Sequence, residues 1–183
     1  MTFKSDQFRF FITDFDGVFT DNSVYINDKG NEFVKCSRSD GYGIKILKTA
    51  NELGLVNFEM AILSTEKNKV VNKRAQKLEI SCFSGIDNKY SFLEEFYFPS
   101  FGFDVKKGFS KLIYLGNDLN DLRVIKNAKL SFAPKDSHPI IQKSATKVLK
   151  NKTGGHGFVR EVIENILGDK NLCTTIKYLE EKS

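Results

Sequence analysis

Two carboxylates in the segment Asp14-Phe15-Asp16-Gly17 have the types and the spacing that phosphoryl transfer requires. A carboxylate can attack phosphorus and form a covalent aspartyl phosphate. A second carboxyl group two residues further on can protonate the leaving alkoxide and later accept a proton from water. The pair alone is a weak signal, because alternating Asp residues also occur in turns and helix caps. The hypothesis therefore depends on what other segments bring to the same place.

Two further residues have the chemistry that a phosphate group needs. The Ser64 hydroxyl could donate a hydrogen bond to a non-bridging phosphate oxygen, and the Lys89 ammonium could neutralise charge that develops in the transition state. Each also has an ordinary structural interpretation. Ser64 is typical of a helix N-cap, and a lone lysine such as Lys89 is typical of a solvated surface.

The same segments could supply a Mg²⁺ site, since this ion prefers oxygen ligands in octahedral geometry. The candidates are the Asp14 carboxylate, the main-chain carbonyl of Asp16 and a side-chain oxygen from residues 116–121. Asn117 is the first choice in that segment and Asp118 the second. Both are also typical of residues that cap the start of a helix.

Strand and helix patterns alternate along the chain and explain why these segments would meet. Apolar runs predict strands at 8–13, 58–63, 80–83, 111–115 and 130–133. Amphipathic patterns predict helices at 42–53, 66–78, 88–97, 118–127 and 158–167. The alternation predicts an α/β fold with a doubly wound parallel sheet. Because active sites of such sheets lie at the carboxyl ends of the strands, the polar segments that follow the strands should share one edge.

In this order, the motifs resemble the haloacid-dehalogenase superfamily of phosphatases. The resemblance rests on DFDG after an apolar strand, Ser64 after the next strand, a following Lys89 and the segment GNDLND at 116–121. The stretch DFDGVFTDNSVYINDKGNEFVKCSRSDGYGIKIL and the later TGGHGFVREVIENIL are similar to its capless branch. That branch contains 3-deoxy-manno-octulosonate 8-phosphate phosphatase, nonulosonate 9-phosphate phosphatases and a domain appended to some CMP-sialate synthetases.

The resemblance implies an architecture for the whole chain. It implies one Rossmann-like domain over residues 1–183 without a cap domain, with a β-hairpin insert at about 22–37 and a glycine turn and helix at about 153–168. In this branch the hairpin joins a barrel in a homotetramer, and a neighbouring subunit closes each site. A homotetramer is therefore the expected assembly.

The resemblance also implies roles for individual residues. Asp14 is the expected nucleophile and Asp16 the expected acid and base, while Ser64 and Lys89 are expected on the phosphate and Mg²⁺ is the expected cofactor. Octulosonate enzymes usually carry Asp where this chain has Asn117. That departure implies weaker metal binding, with Asp118 as a possible compensating group.

A second departure concerns the substrate. Octulosonate enzymes read Thr-Gly-Arg after the second strand, where this chain reads Ser-Thr-Glu. Glu66 followed by Arg74 and Lys77 is similar to the nonulosonate enzymes, although basic residues on a helix face are also typical of a solvated surface. The implied substrate-binding set is Gly17, Thr65, Glu66, Arg74 and Lys77. The expected substrate is a 2-keto-3-deoxy sugar-acid phosphate, with nine carbons favoured over eight.

Length and composition exclude several classes of protein. The chain has 183 residues, of which 40% are hydrophobic and 28% charged, which predicts a globular domain. No apolar stretch approaches the ~20 residues of a membrane span, so no membrane partner is expected. No signal-peptide pattern is visible at the N-terminus. Three isolated cysteines without a CxxC pair predict reduced thiols and a cytoplasmic location.

Three alternatives stay open from the sequence. The formal net charge of +5 fits either nucleic acid or an anionic small molecule, but without a basic stripe no nucleic-acid partner is expected. A non-catalytic tetramerisation module is the main alternative to a phosphatase, and Asn117 weakly favours it. Many of the 17 Phe residues lie in 92–109. They predict either a buried aromatic cluster or an exposed patch for subunit contact.

Overall fold

A computed structural model describes residues 7–182 and centres on one parallel sheet. The strands are β1 (Phe10–Thr13), β2 (Thr20–Ile26), β3 (Glu32–Cys36), β4 (Glu59–Leu63), β5 (Ser81–Phe83), β6 (Leu112–Leu115), β7 (Leu130–Pro134) and β8 (Lys147–Leu149). Six of them form the sheet in the order β5-β4-β1-β6-β7-β8, and each neighbouring pair is parallel. Strands β2 and β3 form a separate antiparallel hairpin.

Eight α-helices occur in the described part of the chain. They are α1 (Arg38–Glu52), α2 (Lys69–Leu78), α3 (Lys89–Phe92), α4 (Phe98–Ser100), α5 (Val105–Ser110), α6 (Leu122–Asn127), α7 (Pro139–Ser144) and α8 (Phe158–Glu181). A π-helical turn, Leu93–Tyr97, joins α3 to α4, and a 3₁₀ turn, Leu119–Asp121, precedes α6. Helix α8 kinks at Gly168, which has a φ of 68°.

Side chains that alternate along the strands divide the hydrophobic core between the two faces of the sheet. On β1, Phe11 packs in one cluster with residues of α1, α2 and α8, whereas Phe10 and Ile12 pack in the other with residues of α5, α6 and α7. A sheet that is covered on both faces needs apolar residues at every position, and all four residues of β1 are buried. The predicted α/β class with a doubly wound parallel sheet is confirmed.

The start of α2 corrects the prediction of a helix at 66–78. Helix α2 begins at Lys69, because the Asn68 side chain caps it by accepting a hydrogen bond from the Val70 N–H at 3.1 Å. The Ser64 hydroxyl instead accepts from the Glu66 N–H at 3.0 Å. Ser64 is therefore not the N-cap of α2, and Glu66 lies in a loop rather than in the first helical turn.

Other bounds also differ from the predictions. The stretch predicted as one helix at 88–97 is broken into α3 and a π-helical turn, and α5 and α7 were not predicted. The sequence also did not predict β8, which adds to the edge of the sheet and buries Leu149. Helix α8 continues past residue 167, because Leu172 and Leu179 beyond the kink pack against the core.

The aromatic residues of 92–109 pack mainly inward. Tyr97, Phe98 and Phe103 surround Phe10 with ring-centroid distances of 5.6, 5.2 and 5.3 Å. Phe96 and Phe101 are the exceptions, with 64% and 37% of their surfaces exposed. The segment therefore matches the prediction of a buried cluster better than that of an exposed patch.

The two segments that the resemblance singled out lie close to the predicted positions. The hairpin runs from Thr20 to Cys36, against a predicted 22–37, and the glycine turn leads into α8 at Phe158. The division of residues 1–183 into one domain stays a prediction. None of the described helices is both long and apolar enough to cross a membrane.

Candidate active site

The strand register brings the predicted site residues to one edge of the sheet. Thr13 pairs with Ile62 of β4 on one side and with Leu115 of β6 on the other. The Asp14 N–H donates to the Leu115 carbonyl at 2.8 Å, so Asp14 leaves β1 level with the ends of both neighbours. The segments that contain Ser64 and Asn117 follow β4 and β6 at this same edge, as predicted.

A buried lysine joins two carboxylates under this edge. The Lys89 ammonium lies 2.7 Å from Asp14 Oδ2 and 2.7 Å from Asp121 Oδ1. All three side chains are almost fully buried. The Phe15 N–H donates to the other Asp14 oxygen at 2.6 Å. Asp14 is thus held in one orientation by a charge and a main-chain donor.

Asp121 organises the loop after β6, a role that the sequence interpretation missed. Its Oδ1 accepts from the Tyr114 hydroxyl at 2.6 Å, and its Oδ2 accepts from the N–H groups of Asn117 and Asp118 at 2.9 and 3.3 Å. Gly116 permits this approach, since a Cβ there would lie 2.6 Å from the Asp121 carboxyl carbon. Tyr114 was the available signal, because a tyrosine in a fully buried strand needs a hydrogen-bond partner.

The charges of this cluster do not balance within the chain. Burial and then the Asp121 charge raise the pKa of Asp14, Lys89 opposes both, and the net value is about 8. For Lys89, burial lowers the pKa, but the attraction of Asp14 and Asp121 outweighs it and the net direction is upward. One ammonium thus faces two carboxylates. A cation beside Asp14 would supply the missing positive charge and favour the ionised carboxylate.

The loop after Asp14 positions Asp16 with one oxygen unused. The Thr20 hydroxyl accepts from the Gly17 N–H at 3.1 Å and lies 3.5 Å from Asp16 Oδ1. Asp16 Oδ2 is buried without a hydrogen-bond partner. Burial raises the pKa of Asp16, and the nearby Glu66 charge adds to this while Lys89 opposes it. A carboxyl group of raised pKa is suited to donate a proton.

An open cavity of about 350 Å³ lies above these groups. Asp14, Asp16, Thr65 and Glu66 line it from the β1 and β4 sides. The remaining lining residues come from the hairpin and from the loop after β6: Asn22, Asn117, Asp118, Leu119 and Asn120. Ser64 and Lys89 are buried at the same strand ends. The cavity is large enough for a phosphate group and part of its ester substituent.

Of the predicted substrate-binding residues, Thr65 and Glu66 line this cavity and Gly17 packs against Asn117 in its wall, but the other two lie away from it. The Arg74 guanidinium donates to the Ser37 carbonyl at 3.1 Å beside the start of α1. Lys77 lines a different cavity, between α1 and α2, together with Lys45 and Lys48. The structure therefore brings together Gly17, Thr65 and Glu66 of the predicted set but leaves Arg74 and Lys77 outside the cleft of this chain.

Known phosphatases are similar to this chain in sequence and in structure. No family model matches the chain. The 3-deoxy-D-manno-octulosonate 8-phosphate phosphatase KdsC of Salmonella typhi is 32% identical over 169 residues, which cover 90% of this chain and 81% of that protein. The chain belongs to the KdsC family of the haloacid-dehalogenase superfamily. It is accordingly a phosphatase, a hydrolase of phosphoric monoesters.

Two solved KdsC-family structures share the fold along nearly the whole chain. The Moraxella catarrhalis 3-deoxy-D-manno-octulosonate 8-phosphate phosphatase, solved with magnesium, phosphate and KDO, matches with a TM-score of 0.82 at 26% identity and covers 98% of this chain and 96% of its own. The cobalt-bound deoxy-D-mannose-octulosonate 8-phosphate phosphatase of Haemophilus influenzae matches with a TM-score of 0.77 at 26% identity. The match covers 92% of this chain and 91% of that enzyme.

The donor set of this KdsC-family chain fits a divalent cation. Asn117 Oδ1 and Asp16 Oδ2 are both buried without a hydrogen-bond partner. They lie near Asp14, which shares the single Lys89 ammonium with Asp121. Gly17 allows the close packing, because a Cβ there would lie 1.9 Å from Asn117 Nδ2. Within residues 7–182, no group of three or more His, Cys, Asp and Glu side chains could hold a metal. Amide and main-chain oxygens would therefore have to complete the site.

Asp118 occupies a different position from Asn117. Its Oδ1 accepts from the Leu119 N–H at 2.7 Å, and it forms a capping box with Asp121 at the 3₁₀ turn. The side chain is exposed at the rim of the cavity, whereas Asn117 is buried. Of the two candidate metal ligands in this loop, Asn117 has a side-chain oxygen without a protein partner, whereas Asp118 caps the 3₁₀ turn.

Proposed function

We propose that this protein is a Mg²⁺-dependent phosphatase of a 2-keto-3-deoxy sugar-acid phosphate and that it works through an aspartyl phosphate. The observation that carries the proposal is the Asp14 carboxylate, fixed on Lys89 beside the unpartnered oxygens of Asp16 and Asn117. The KdsC relative acts on an octulosonate 8-phosphate, and its Moraxella counterpart was solved with the sugar acid KDO. Both support this class of substrate.

The two carboxylates divide the chemistry between them. Asp14 attacks phosphorus, so that a bond forms from its oxygen while the bond from phosphorus to the sugar oxygen breaks. Asp16 gives its proton to the leaving sugar oxygen. Water then attacks the aspartyl phosphate, Asp16 takes a proton from that water, and Asp14 is regenerated as inorganic phosphate leaves. Lys89 stays charged throughout and limits the negative charge around Asp14.

Mg²⁺ would be held by Asp14, the main-chain carbonyl of Asp16 and the Asn117 side chain. We propose that Asp118, at the rim of the cavity, contributes to metal binding. When bound, the cation reduces the repulsion between an anionic nucleophile and an anionic phosphate. We propose that the Ser64 hydroxyl binds a phosphate oxygen. Ser64 is buried at the end of β4, next to Thr65 in the cavity wall.

Glu66 supports a substrate with nine carbons rather than eight. It lies with Asp16 in the cavity wall, and its charge raises the pKa of the Asp16 carboxyl. A carboxylate there can accept hydrogen bonds from sugar hydroxyls but would repel a substrate carboxylate. A longer chain of hydroxyl-bearing carbons would place the substrate carboxylate further from Glu66.

The hairpin supports a homotetramer. Tyr25 and Phe33 pair across β2 and β3, and 58% and 56% of their surfaces are exposed. Val24 and Ile26 on the same strand are also more than half exposed. An apolar patch of this kind is typical of a protein–protein contact, and a neighbouring subunit would enclose the open cavity.

Release of inorganic phosphate tests the proposal. Purified protein should hydrolyse a nonulosonate 9-phosphate and an octulosonate 8-phosphate with Mg²⁺, and the higher kcat/KM should belong to the nine-carbon substrate. Chelation of the metal should abolish both activities, and added Mg²⁺ should restore them. Failure to hydrolyse either compound or a generic aryl phosphate would instead support the non-catalytic tetramerisation module.

A further inference from the structure

The turn Gly154–Gly155 packs directly against the loop that carries Asp16. The Gly155 N–H donates to the Val18 carbonyl at 3.0 Å. A Cβ on Gly154 would lie 2.1 Å from the Gly17 carbonyl oxygen, and one on Gly155 would lie 2.6 Å from the Thr20 carbonyl carbon. Both glycines are buried. Two stretches of backbone, far apart in sequence, are therefore in van der Waals contact at this point.

The turn is itself fixed from two sides. The Gly154 N–H donates to Asp136 Oδ1 at 3.0 Å, which ties it to the segment after β7. On its other side, the buried Asp40 carboxylate accepts from the N–H groups of Gly157 and Arg160 at 3.1 Å each, which anchors the start of α8. The contact with the Asp16 loop is thus made by a held segment rather than by a free tail.

Main-chain hydrogen bonds to the Phe15 carbonyl hold the loop backbone at residues 18–20, but few contacts orient the Asp16 side chain. The Thr20 hydroxyl links to the Gly17 N–H at 3.1 Å and only at 3.5 Å to Asp16 Oδ1. The second Asp16 oxygen has no partner. A displacement of the Gly17 carbonyl would therefore move Asp16 relative to Asp14, since the Asp16 carboxylate is held by little more than the 3.5 Å contact with Thr20.

We propose that Gly154 and Gly155 are positioning residues that hold Asp16 in place for proton transfer to the leaving group. The inference rests on the proposed function of Asp16. Gly155 has a φ of +66° and needs glycine for that reason as well. Gly154 has no positive φ, so the close approach to Gly17 is the reason that remains for a glycine there.

The test compares two leaving groups in Gly154→Ala. A sugar alkoxide leaves poorly and needs the proton from Asp16, whereas p-nitrophenolate leaves without one. The kcat/KM value reports the steps up to phosphoryl transfer, so the later hydrolysis does not enter. For the sugar-acid phosphate, the kcat/KM of Gly154→Ala should fall about tenfold or more below that of wild-type protein. Misplacing a catalytic group by about 1 Å has effects of at least this size. For p-nitrophenyl phosphate it should stay within about twofold.

Gly108→Ala is the matched control. A Cβ there would lie 2.3 Å from the buried Phe98 ring, in the aromatic cluster on the other face of the sheet and away from the Asp16 loop. It should lower Tm while leaving the ratio of the two kcat/KM values unchanged. If Gly154→Ala does not fold, Asp136→Ala removes the anchor of the turn without adding an atom. It should shift the ratio in the same direction.

Two results would overturn the inference. An unchanged ratio in both Gly154→Ala and Asp136→Ala, with only Tm lowered, would show that the turn has a structural role alone. Wild-type protein that hydrolyses neither substrate would refute the proposed function and, with it, this inference. The first result leaves the proposed function intact, so the two failures are distinguishable.

Discussion

At the scale of single residues, the site depends on a buried lysine between two carboxylates. Lys89 contacts Asp14 and Asp121 at 2.7 Å each, and its side chain is fully buried. Removing one partner of such a group leaves an uncompensated buried charge. The same contacts therefore support both folding and the orientation of Asp14, the proposed nucleophile, and the two effects can be separated by measurement.

Lys89→Met should cost about 3 kcal/mol of unfolding free energy, because two buried carboxylates then face each other without a cation. Phosphatase activity should fall by at least about 10²-fold, the typical effect of losing a charge that stabilises the transition state. Urea unfolding and phosphate release measure the two quantities. Lys126→Met, at an exposed position of α6, is the control and should change neither. Wild-type stability in Lys89→Met would contradict the described ion cluster.

Asn117→Asp should bind Mg²⁺ more tightly, by about tenfold, because charged ligands raise the affinity of oxygen sites. Calorimetric titration of the protein with Mg²⁺ measures this without any turnover. Asn120→Asp adds the same charge on the same loop at an exposed position. It should have a smaller effect if Asn117 is a direct ligand. Equal effects of the two substitutions would show that only the added charge matters.

The sequence predicted which residues of this cluster would come together but not all of their partners. Asp14, Lys89 and Asn117 could be predicted because each follows a strand of a parallel sheet and belongs to a recognisable motif. The partnership of Asp121 with Lys89 and Tyr114 could not, because a motif shows the order of residues and not which acceptor each donor reaches. Arg74 and Lys77 show the same limit, since a regular helix face does not reveal which cavity it borders.

At the scale of elements, caps and contacts between helices decide where the segments begin and how they pack. Ser37 caps α1 by accepting from the N–H groups of Ser39 and Asp40. One turn later, Asp40 accepts from the first turn of α8. Helices α1 and α8 cross closely at Gly43, where a side chain would meet the Arg160 backbone. The segment DGYG therefore joins the two helices that cover one face of the sheet.

Asp40→Ala should destabilise the protein by about 2 kcal/mol, because it leaves buried N–H groups of α8 without an acceptor. Asn keeps one of the two acceptor oxygens of Asp40, whereas Ala keeps none. Asp40→Asn should consequently cost less than Asp40→Ala. Urea unfolding at neutral pH measures the unfolding free energy of both variants. The control is Asp104→Ala, which removes an exposed cap of α5 and should cost about 1 kcal/mol or less. A larger loss in Asp40→Asn than in Asp40→Ala would contradict this explanation.

Element bounds were the least predictable feature. The motif Ser-Thr-Glu resembled a helix start, but Asn68 offers a better cap with the same local pattern. The π-helical turn at Leu93–Tyr97 and the edge strand β8 depend on tertiary packing, since a three-residue strand has too little pattern of its own. The central strands were predictable because burial on both faces leaves a continuous apolar run.

At the scale of the whole molecule, the open cavity and the exposed hairpin point to the same requirement. The cavity lies between the loop after β6, the hairpin residue Asn22 and the Thr65–Glu66 loop, and it is open to solvent. The hairpin presents apolar side chains away from the sheet of its own chain. A second copy of the chain could cover these side chains and narrow the cavity. Length and composition alone could not indicate this requirement.

The double substitution Tyr25→Ser/Phe33→Ser should lower the oligomeric state, because it removes a paired apolar patch from the hairpin. Analytical ultracentrifugation measures the mass, and wild-type protein should sediment as a tetramer. Phe96→Ser removes an equally exposed aromatic ring from the other candidate surface and should leave the mass unchanged. A mass that changes only in Phe96→Ser would assign subunit contact to the Phe-rich segment instead.

The proposed function depends above all on transfer of the phosphoryl group from the sugar-acid phosphate to Asp14. It is tested most directly by quenching the reaction with acid during turnover and locating the modification by tandem mass spectrometry. Wild-type protein with Mg²⁺ should carry one phosphoryl group on Asp14, whereas Asp14→Asn should carry none and release no phosphate. Normal phosphate release by Asp14→Asn, or a phosphoryl group on another residue, would contradict it.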